Sequence, residues 1–231
     1  MADHHKETFI TKYIFSQDHK MIAKQFLITG MFMALVGMLM SAIFRVQLAN
    51  PGESSILYSL LPGSWVNEAG ALNPDKYLAL VTMHGTILVF WVLTAGLSGT
   101  FANFLIPLQI GARDMASGFL NMISYWLFFI ATVILIASIY VQGGPASSGW
   151  TIYPPLSALP QAIPGSGTGM TLWLLSITIF VAGSLIGGLN YIVTVLNLRT
   201  KGMSMRRMPL TVWALLVTAI LGVLSFPVLL S

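Results

Sequence analysis

The sequence predicts an all-α, polytopic transmembrane helical bundle of five spans, N-terminus inside and C-terminus outside, on three observations. Of 231 residues, 56% are hydrophobic and only 8% charged, with a mean hydropathy of +0.81, whereas soluble globules carry about a quarter charged residues. Five apolar segments each approach the ~20 residues that a helix needs to cross about 30 Å of hydrocarbon. Glycine and proline clusters separate them. Helices rather than a closed barrel follow because a span must satisfy its own backbone hydrogen bonds, and barrel strands are shorter and alternate in polarity. The net charge of +4 tracks membrane topology and gives no sign of nucleic-acid binding. With no cysteine, disulfides and thiolate ligands are excluded, so any metal falls to His, Met or oxygen.

In chain order, residues 1–20 form a polar cytoplasmic tail with Lys6, Glu7, Lys12, Asp18 and Lys20, and show neither an apolar h-region nor a small-residue cleavage site. The expectation is that no signal peptide is removed and the first span serves as the insertion signal. His4 and His5 sit in this tail as a mobile pair rather than a metal site, and His19 reads as an interfacial polar residue. The spans fall near 22–46, 77–105, 120–141, 170–196 and 210–230, within a single membrane domain over 1–231. Pro51, Gly52, Pro62 and Gly63, then Gly143, Gly144, Pro145 and the Pro154-Pro155 pair, mark non-helical connections.

Orientation comes from Lys and Arg. An inside N-terminus puts Lys6, Lys12, Lys20 and Lys24, then Arg113, then Arg199, Lys201, Arg206 and Arg207 on the inner side, against only Arg45 and Lys76 outside. The connection 142–169 carries no charge and reads as an outer segment folded against protein.

Within the second span, Val81-Thr82-Met83-His84-Gly85-Thr86-Ile87 holds the only histidine inside a run long enough to cross a bilayer. An ionisable group there costs roughly 2–4 kcal/mol unless coordinated or paired. Metal ligation through the lone pair of a neutral imidazole answers that cost, and so does a hydrogen bond to a neighbouring helix. In the first span, Gly30, Ala34, Gly37, Ser41 and Arg45 share one face. Close helix packing explains the small residues. The hydroxyl and guanidinium at the outer end suggest more: Ser41 could accept the spare N–H of His84, and Arg45 could meet the polar substituents of a cofactor in a heme slot between two helices.

A second constellation lies on the inner side: Asn103, Asp114 and Asn121, with Asn190 and Ser184 on the fourth span. Asp114 beside Arg113 also reads as a surface ion pair or a cap for the next helix, and Asn and Ser as interhelical glue. Polar side chains rising from a carboxylate into the bilayer are also what a water-filled proton path requires.

Six runs carry a resemblance: Ser16-Gln17-Asp18-His19-Lys20, Met83-His84-Gly85-Thr86, residues 103–107, Ile110-Gly111-Ala112-Arg113-Asp114-Met115-Ala116, residues 121–126, and Gly149-Trp150-Thr151-Ile152-Tyr153-Pro154-Pro155-Leu156. In this order they resemble the N-terminal part of subunit I of heme-copper oxidases of the cytochrome c oxidase type, from about Tyr13 onward. The resemblance implies that His84 is an axial ligand of a low-spin heme, heme A by family likeness, and that Arg45 lies near its formyl group. The serine that bonds this histidine in some members aligns with Gly37, so Ser41 rests on spacing alone. Trp150 corresponds to a tryptophan near a propionate of the high-spin heme, and Asp114, Asn103, Asn121, Ser184 and Asn190 to the proton-uptake channel named for its aspartate.

The implied activity is proton-pumping reduction of oxygen to water in a respiratory chain, with electrons passing through the low-spin heme to a high-spin heme and copper. The implied partners are the remaining helices of subunit I, a copper-bearing subunit II, subunit III, cytochrome c or another electron donor, and membrane lipid. The implied location is the bacterial inner membrane. The chain itself departs from the pattern in several places. The resemblance puts the other axial histidine, the copper ligands, the high-spin ligand and an inner glutamate beyond Ser231, so an oxidase needs more than these five helices. Ala112-Arg113 stands where many members have Ala-Pro, Gly183 where some have serine, and Gln47 where some have an acid that helps hold a cation. A quinol-oxidising relative and a heme-free scaffold or assembly fragment are the alternatives. An ion transporter is disfavoured because no span carries a central carboxylate.

Overall fold

The computed structural model describes residues 8–155, 157–159, 161 and 167–230. His4, His5, Lys6, Glu7, Leu156 and Ser231 lie outside the described residues. Five long helices are apolar enough to cross a membrane, and no strand occurs among the described residues. They are α1 (His19–Ala49), α2 (Pro74–Ile110), α3 (Gly118–Tyr140), α4 (Thr168–Asn197) and α5 (Leu210–Leu230). The protein is therefore an all-helical integral membrane protein with the expected five spans.

The ends are set by local chemistry. Asp18 Oδ2 accepts the Met21 N–H at 2.9 Å and caps α1. Pro74 follows Asn73 in the first turn of α2, where its missing N–H costs nothing. Gly111 ends α2 at φ +71°, the left-handed conformation that glycine adopts without a Cβ penalty. Ser117 Oγ accepts the Leu120 N–H at 3.2 Å and caps α3. Such caps extend α1 and α2 a few residues past the apolar stretches that composition marks, out to His19, Ala49, Pro74 and Ile110.

The middle of α2 departs from the α-helical expectation. It is α-helical over Pro74–Thr86, widens to a π-helical pitch over Ile87–Gly99 and returns to α over Thr100–Ile110. The Thr94 hydroxyl bonds back to the Val89 carbonyl five residues earlier, at 2.8 Å. Apolar periodicity does not reveal this widening, because almost every residue in the stretch is apolar. Long π stretches are rare, and short ones recur beside functional sites.

The chain forms two compact units. The first comprises the described residues of Met1–Thr29, Ala95–Phe129 and Ile179–Ser231. Its core joins Ala102, Ile106 and Ile110 to Val195, Met208, Val212 and Leu216. Phe26 adds an edge contact to Tyr125 and a stack on Phe128, with centroids 5.3 and 5.4 Å apart.

The second unit comprises Gly30–Thr94 and Ile130–Thr178. Trp65, Trp91, Met33, Ile43, Leu80, Met83, Ile87 and Leu135 are among its fully buried side chains of bulk. Because lipid tails are as apolar as leucine, helix association here relies on fit and interhelical hydrogen bonds. Ser176 Oγ donates to the Ala131 carbonyl at 2.9 Å, and Trp91 Nε1 to Thr132 Oγ1 at 2.9 Å. The α1 to α2 connection is tied down by Gln47, whose Oε1 accepts from the Tyr58 hydroxyl (2.8 Å) and the Leu72 N–H (3.3 Å).

Candidate functional site

His84 sits near the end of the first α-helical stretch of α2, half-buried, one turn before Ile87. Its Nδ1 lies 2.8 Å from the Gly37 carbonyl oxygen of α1. A carbonyl only accepts, so Nδ1 carries a proton, and in the neutral ring Nε2 is the nitrogen with the free lone pair. Phe44 meets the imidazole edge to face, centroids 5.4 Å apart, and meets Tyr77 the same way at 6.1 Å. The ring is thus held in tautomer and orientation by one bond and one aromatic wall.

This corrects the expected partner. Ser41 does not take the histidine N–H; its Oγ accepts instead from Arg45 Nε at 3.2 Å. Gly37 makes the contact with main chain because α1 and α2 approach closely there. A Cβ at that position would lie 3.0 Å from Leu88 Cδ2 and 3.2 Å from Ile87 Cγ2. The small-residue face of α1 therefore both packs and presents an acceptor.

Trp150, 44% exposed, is tied to the same motif two residues on. The fully buried Thr86 hydroxyl donates to the Thr82 carbonyl (2.8 Å) and accepts both the Trp150 and the Trp173 indole N–H, at 3.2 and 3.3 Å. Thr82 Oγ1 accepts the Gly149 N–H at 3.2 Å, and Trp150 stacks on Phe90 with centroids 4.6 Å apart. The uncharged connection around residue 150 is thereby held against protein, as expected. Thr82, Thr86 and Trp173 were not singled out by pattern, because threonines and tryptophans in an apolar run look like ordinary interior residues. Thr86→Val leaves two indole N–H groups without their acceptor. It is expected to lower unfolding stability by about 1–3 kcal/mol, with Thr86→Ser restoring it, as read from thermal midpoints.

In the other unit, the polar residues of the second constellation each make their own contacts. Asn103 is fully buried; its Nδ2 donates to the Gly99 carbonyl (2.7 Å) and to the Tyr191 hydroxyl (2.9 Å), while its Oδ1 has no protein partner. Asn121 is equally buried, and both of its carboxamide atoms lack a partner. Ser124 Oγ donates to the Asn121 carbonyl at 2.7 Å and faces Gly187 on α4. Asn190 grips the main chain of Ser117 twice, Oδ1 accepting its N–H (2.9 Å) and Nδ2 donating to its carbonyl (3.1 Å). Ser184 is half-buried on α4 beside Gly183. A Cβ on Gly183 would lie 3.0 Å from Leu127 Cβ and 3.1 Å from the Ser124 carbonyl oxygen, so glycine there sets the close approach of α4 to α3.

Asp114 is half-buried, and its Oδ1 accepts the adjacent Met115 N–H at 2.7 Å. It makes no ion pair with Arg113 among the described residues, where Lys76 with Asp75 is the ion pair found. Nor does it cap α3, a role that Ser117 fills. His19 opens α1 and is packed against protein. Only 2% exposed, it donates from Nδ1 to the Asn103 carbonyl at 2.8 Å. A main-chain acceptor 84 positions away cannot be read from residue identities.

A single axial ligand is what the His84 donor set fits: one imidazole, its tautomer fixed, with Nε2 engaged by no described residue. No group of three or more His, Cys, Asp or Glu side chains that could hold a metal ion occurs among the described residues.

The family described as Cytochrome C and Quinol oxidase polypeptide I matches residues 21–231. The chain is 41% identical over 226 residues to an alternative cytochrome c oxidase subunit 1 of Bradyrhizobium diazoefficiens, covering 98% of this chain and 36% of that protein. It is 37% identical over 232 residues to cytochrome c oxidase subunit 1 of Synechocystis sp., covering 100% and 37%. It is 40% identical over 222 residues to the same subunit of Candida albicans, covering 96% and 38%. The chain thus spans little more than a third of the length of these relatives.

Proposed function

Since the chain belongs to the family of polypeptide I of cytochrome c and quinol oxidases, we propose that it works in a terminal respiratory oxidase, supplying one axial ligand of a low-spin heme and part of a proton-uptake channel. The observation that carries this reading is His84 inside a spanning helix, its Nδ1–H held by the Gly37 carbonyl and its Nε2 left to bind. Bound there, the heme supplies one-electron transfer. The chain's own residues orient the ligand: Gly37 fixes the tautomer and Phe44 the ring plane. Arg45, held by Ser41, is the residue offered to the heme substituents. Trp150, held through Thr86, is the one offered to a propionate.

Asp114 takes up protons, and Asn103, Asn121 and Ser184 line their route. Asn190 positions the Asp114 loop through its double grip on Ser117. The unpartnered carboxamide of Asn121 supports this part of the reading, because a buried polar group without a protein partner costs about 1–3 kcal/mol. Asn121→Leu removes that cost. The expected result is unchanged or raised stability together with slower proton uptake during turnover; equal uptake at equal stability would mark Asn121 as packing only.

The proposed complex contains the remaining subunit I helices, a copper-bearing subunit II and subunit III in a bacterial inner membrane, with cytochrome c or another electron donor and heme A as the low-spin group. The test is a reduced-minus-oxidised spectrum with pyridine hemochrome analysis on the complex purified through this chain, alongside mass-spectrometric identification of co-purifying polypeptides. Heme together with the remaining ligand histidines supports the reading. A heme-free complex without them overturns it.

A further inference from the structure

Neither the heme ligand nor the polar channel uses the segment that leads into α1. There the structure holds an open cleft of about 780 Å³ whose lining includes Lys12, Tyr13, Phe15, Ser16, Lys20 and Lys24. None of the three lysines makes an ion pair among the described residues. The one acidic residue in the lining, Asp18, gives its Oδ2 to the Met21 N–H as the helix cap. Lys12 Nζ lies 5.5 Å from the centre of the Tyr13 ring. With three lysines against one carboxylate in its lining, the cleft carries a net positive charge.

Its surroundings are those of a membrane surface. Phe9, Ile10, Tyr13 and Phe15 are exposed aromatic and aliphatic side chains, and aromatic residues favour the headgroup level. Lys20 and Lys24 are four apart on α1, and the same side of the helix continues into Leu27 and Ile28, 40% and 70% exposed. Charge at the cleft followed by bare apolar helix matches a molecule with an anionic head and hydrocarbon tails. The other basic segment differs: Arg199 turns inward, donating to the Val195 carbonyl at 2.6 Å and the Met203 carbonyl at 3.3 Å.

We propose that this cleft binds an anionic phospholipid, with the headgroup phosphate held by Lys12, Lys20 and Lys24 and an acyl chain lying on Leu27 and Ile28. Attraction to a surface-bound basic residue is strong enough for each lysine to count several-fold in affinity.

The test uses the delipidated complex purified through this chain, titrated with phosphatidylglycerol or phosphatidylcholine and read by native mass spectrometry. Phosphatidylglycerol is expected to be retained in preference to phosphatidylcholine. Lys20→Gln with Lys24→Gln weakens that retention roughly thirtyfold. Lys201→Gln with Arg206→Gln, which removes the same charge elsewhere, leaves it unchanged. Equal retention of the two lipids, full retention by the Lys20/Lys24 variant, or displacement of phosphatidylglycerol by millimolar inorganic phosphate overturns the proposal. The comparison of the two lipids on the unmodified complex decides the matter even where the double variant fails to assemble.

Discussion

His84→Ala is expected to abolish low-spin heme in the assembled complex while leaving the polypeptide in the membrane. The imidazole supplies the ligand nitrogen assigned to the heme, and alanine offers none. The loss should go well beyond the roughly 10- to 100-fold that removing an outer-shell partner costs in metal affinity. Ser41→Ala is the matched comparison. Because the Ser41 hydroxyl bonds Arg45 rather than the histidine, heme content should change little. Pyridine hemochrome per mole of polypeptide, measured on both variants, separates the two. Unchanged heme in the His84 variant would make this histidine a packed interior residue whose bond to Gly37 is its whole purpose.

Gly169→Ala should destabilise the unit that holds His84 by about 3 kcal/mol, the upper end of what overpacking costs. A Cβ at Gly169, in the first turn of α4, would run into the Gly144 carbonyl oxygen, with the Gly144 carbonyl carbon at 2.8 Å and Pro145 Cα at 3.1 Å. These are main-chain atoms, and Gly144 is already at φ +81°, so the obstacle cannot swing aside as a side chain would. Gly63→Ala, where a Cβ meets nothing within 4 Å, serves as the control and should stay within about 0.5 kcal/mol of the parent. Thermal midpoints of the purified complexes decide the matter; equal midpoints for the two variants would mean that the approach of α4 to Gly144 is slack.

The five spans were legible because apolar length is a direct consequence of bilayer thickness, and the structure alters their ends by only a few residues. His84 stood out for the same reason: a lone ionisable side chain in such a run needs a partner, which a metal or a neighbouring helix can supply. Its partner did not. Helical spacing suggests side chains that share a face, and so it pointed to the Ser41 hydroxyl, whereas the acceptor is a main-chain oxygen of Gly37. The partner of His19 was equally unreadable, since its acceptor is the Asn103 carbonyl.

Thr86 escaped notice because its importance is in what converges on it, two indoles from distant parts of the sequence, rather than in its type. Asn190 was read either as lining a proton path or as interhelical glue, and the structure uses it to hold the Ser117 main chain. In each case residue identity marked where polarity is unusual, and only the fold determined what met it. The widened stretch Ile87–Gly99 left no signal, because hydrophobic pattern carries no information where nearly all residues are apolar.

The Gln47 clasp has a consequence for how the loop after α1 responds to its surroundings. Both of its bonds join neutral groups, a phenol and an amide N–H to a carboxamide. Burial holds the Tyr58 phenol above its ordinary pKa of 10, so it remains a donor at any pH below that value. The stability it contributes is complete below pH 10 and lost only as alkalinity climbs through the raised pKa. A carboxylate at position 47 would instead have made the fastening respond to acid, ionic strength and divalent cations. With glutamine the loop is buffered against all three, and its anchorage stays constant while the ionic conditions at the membrane surface change.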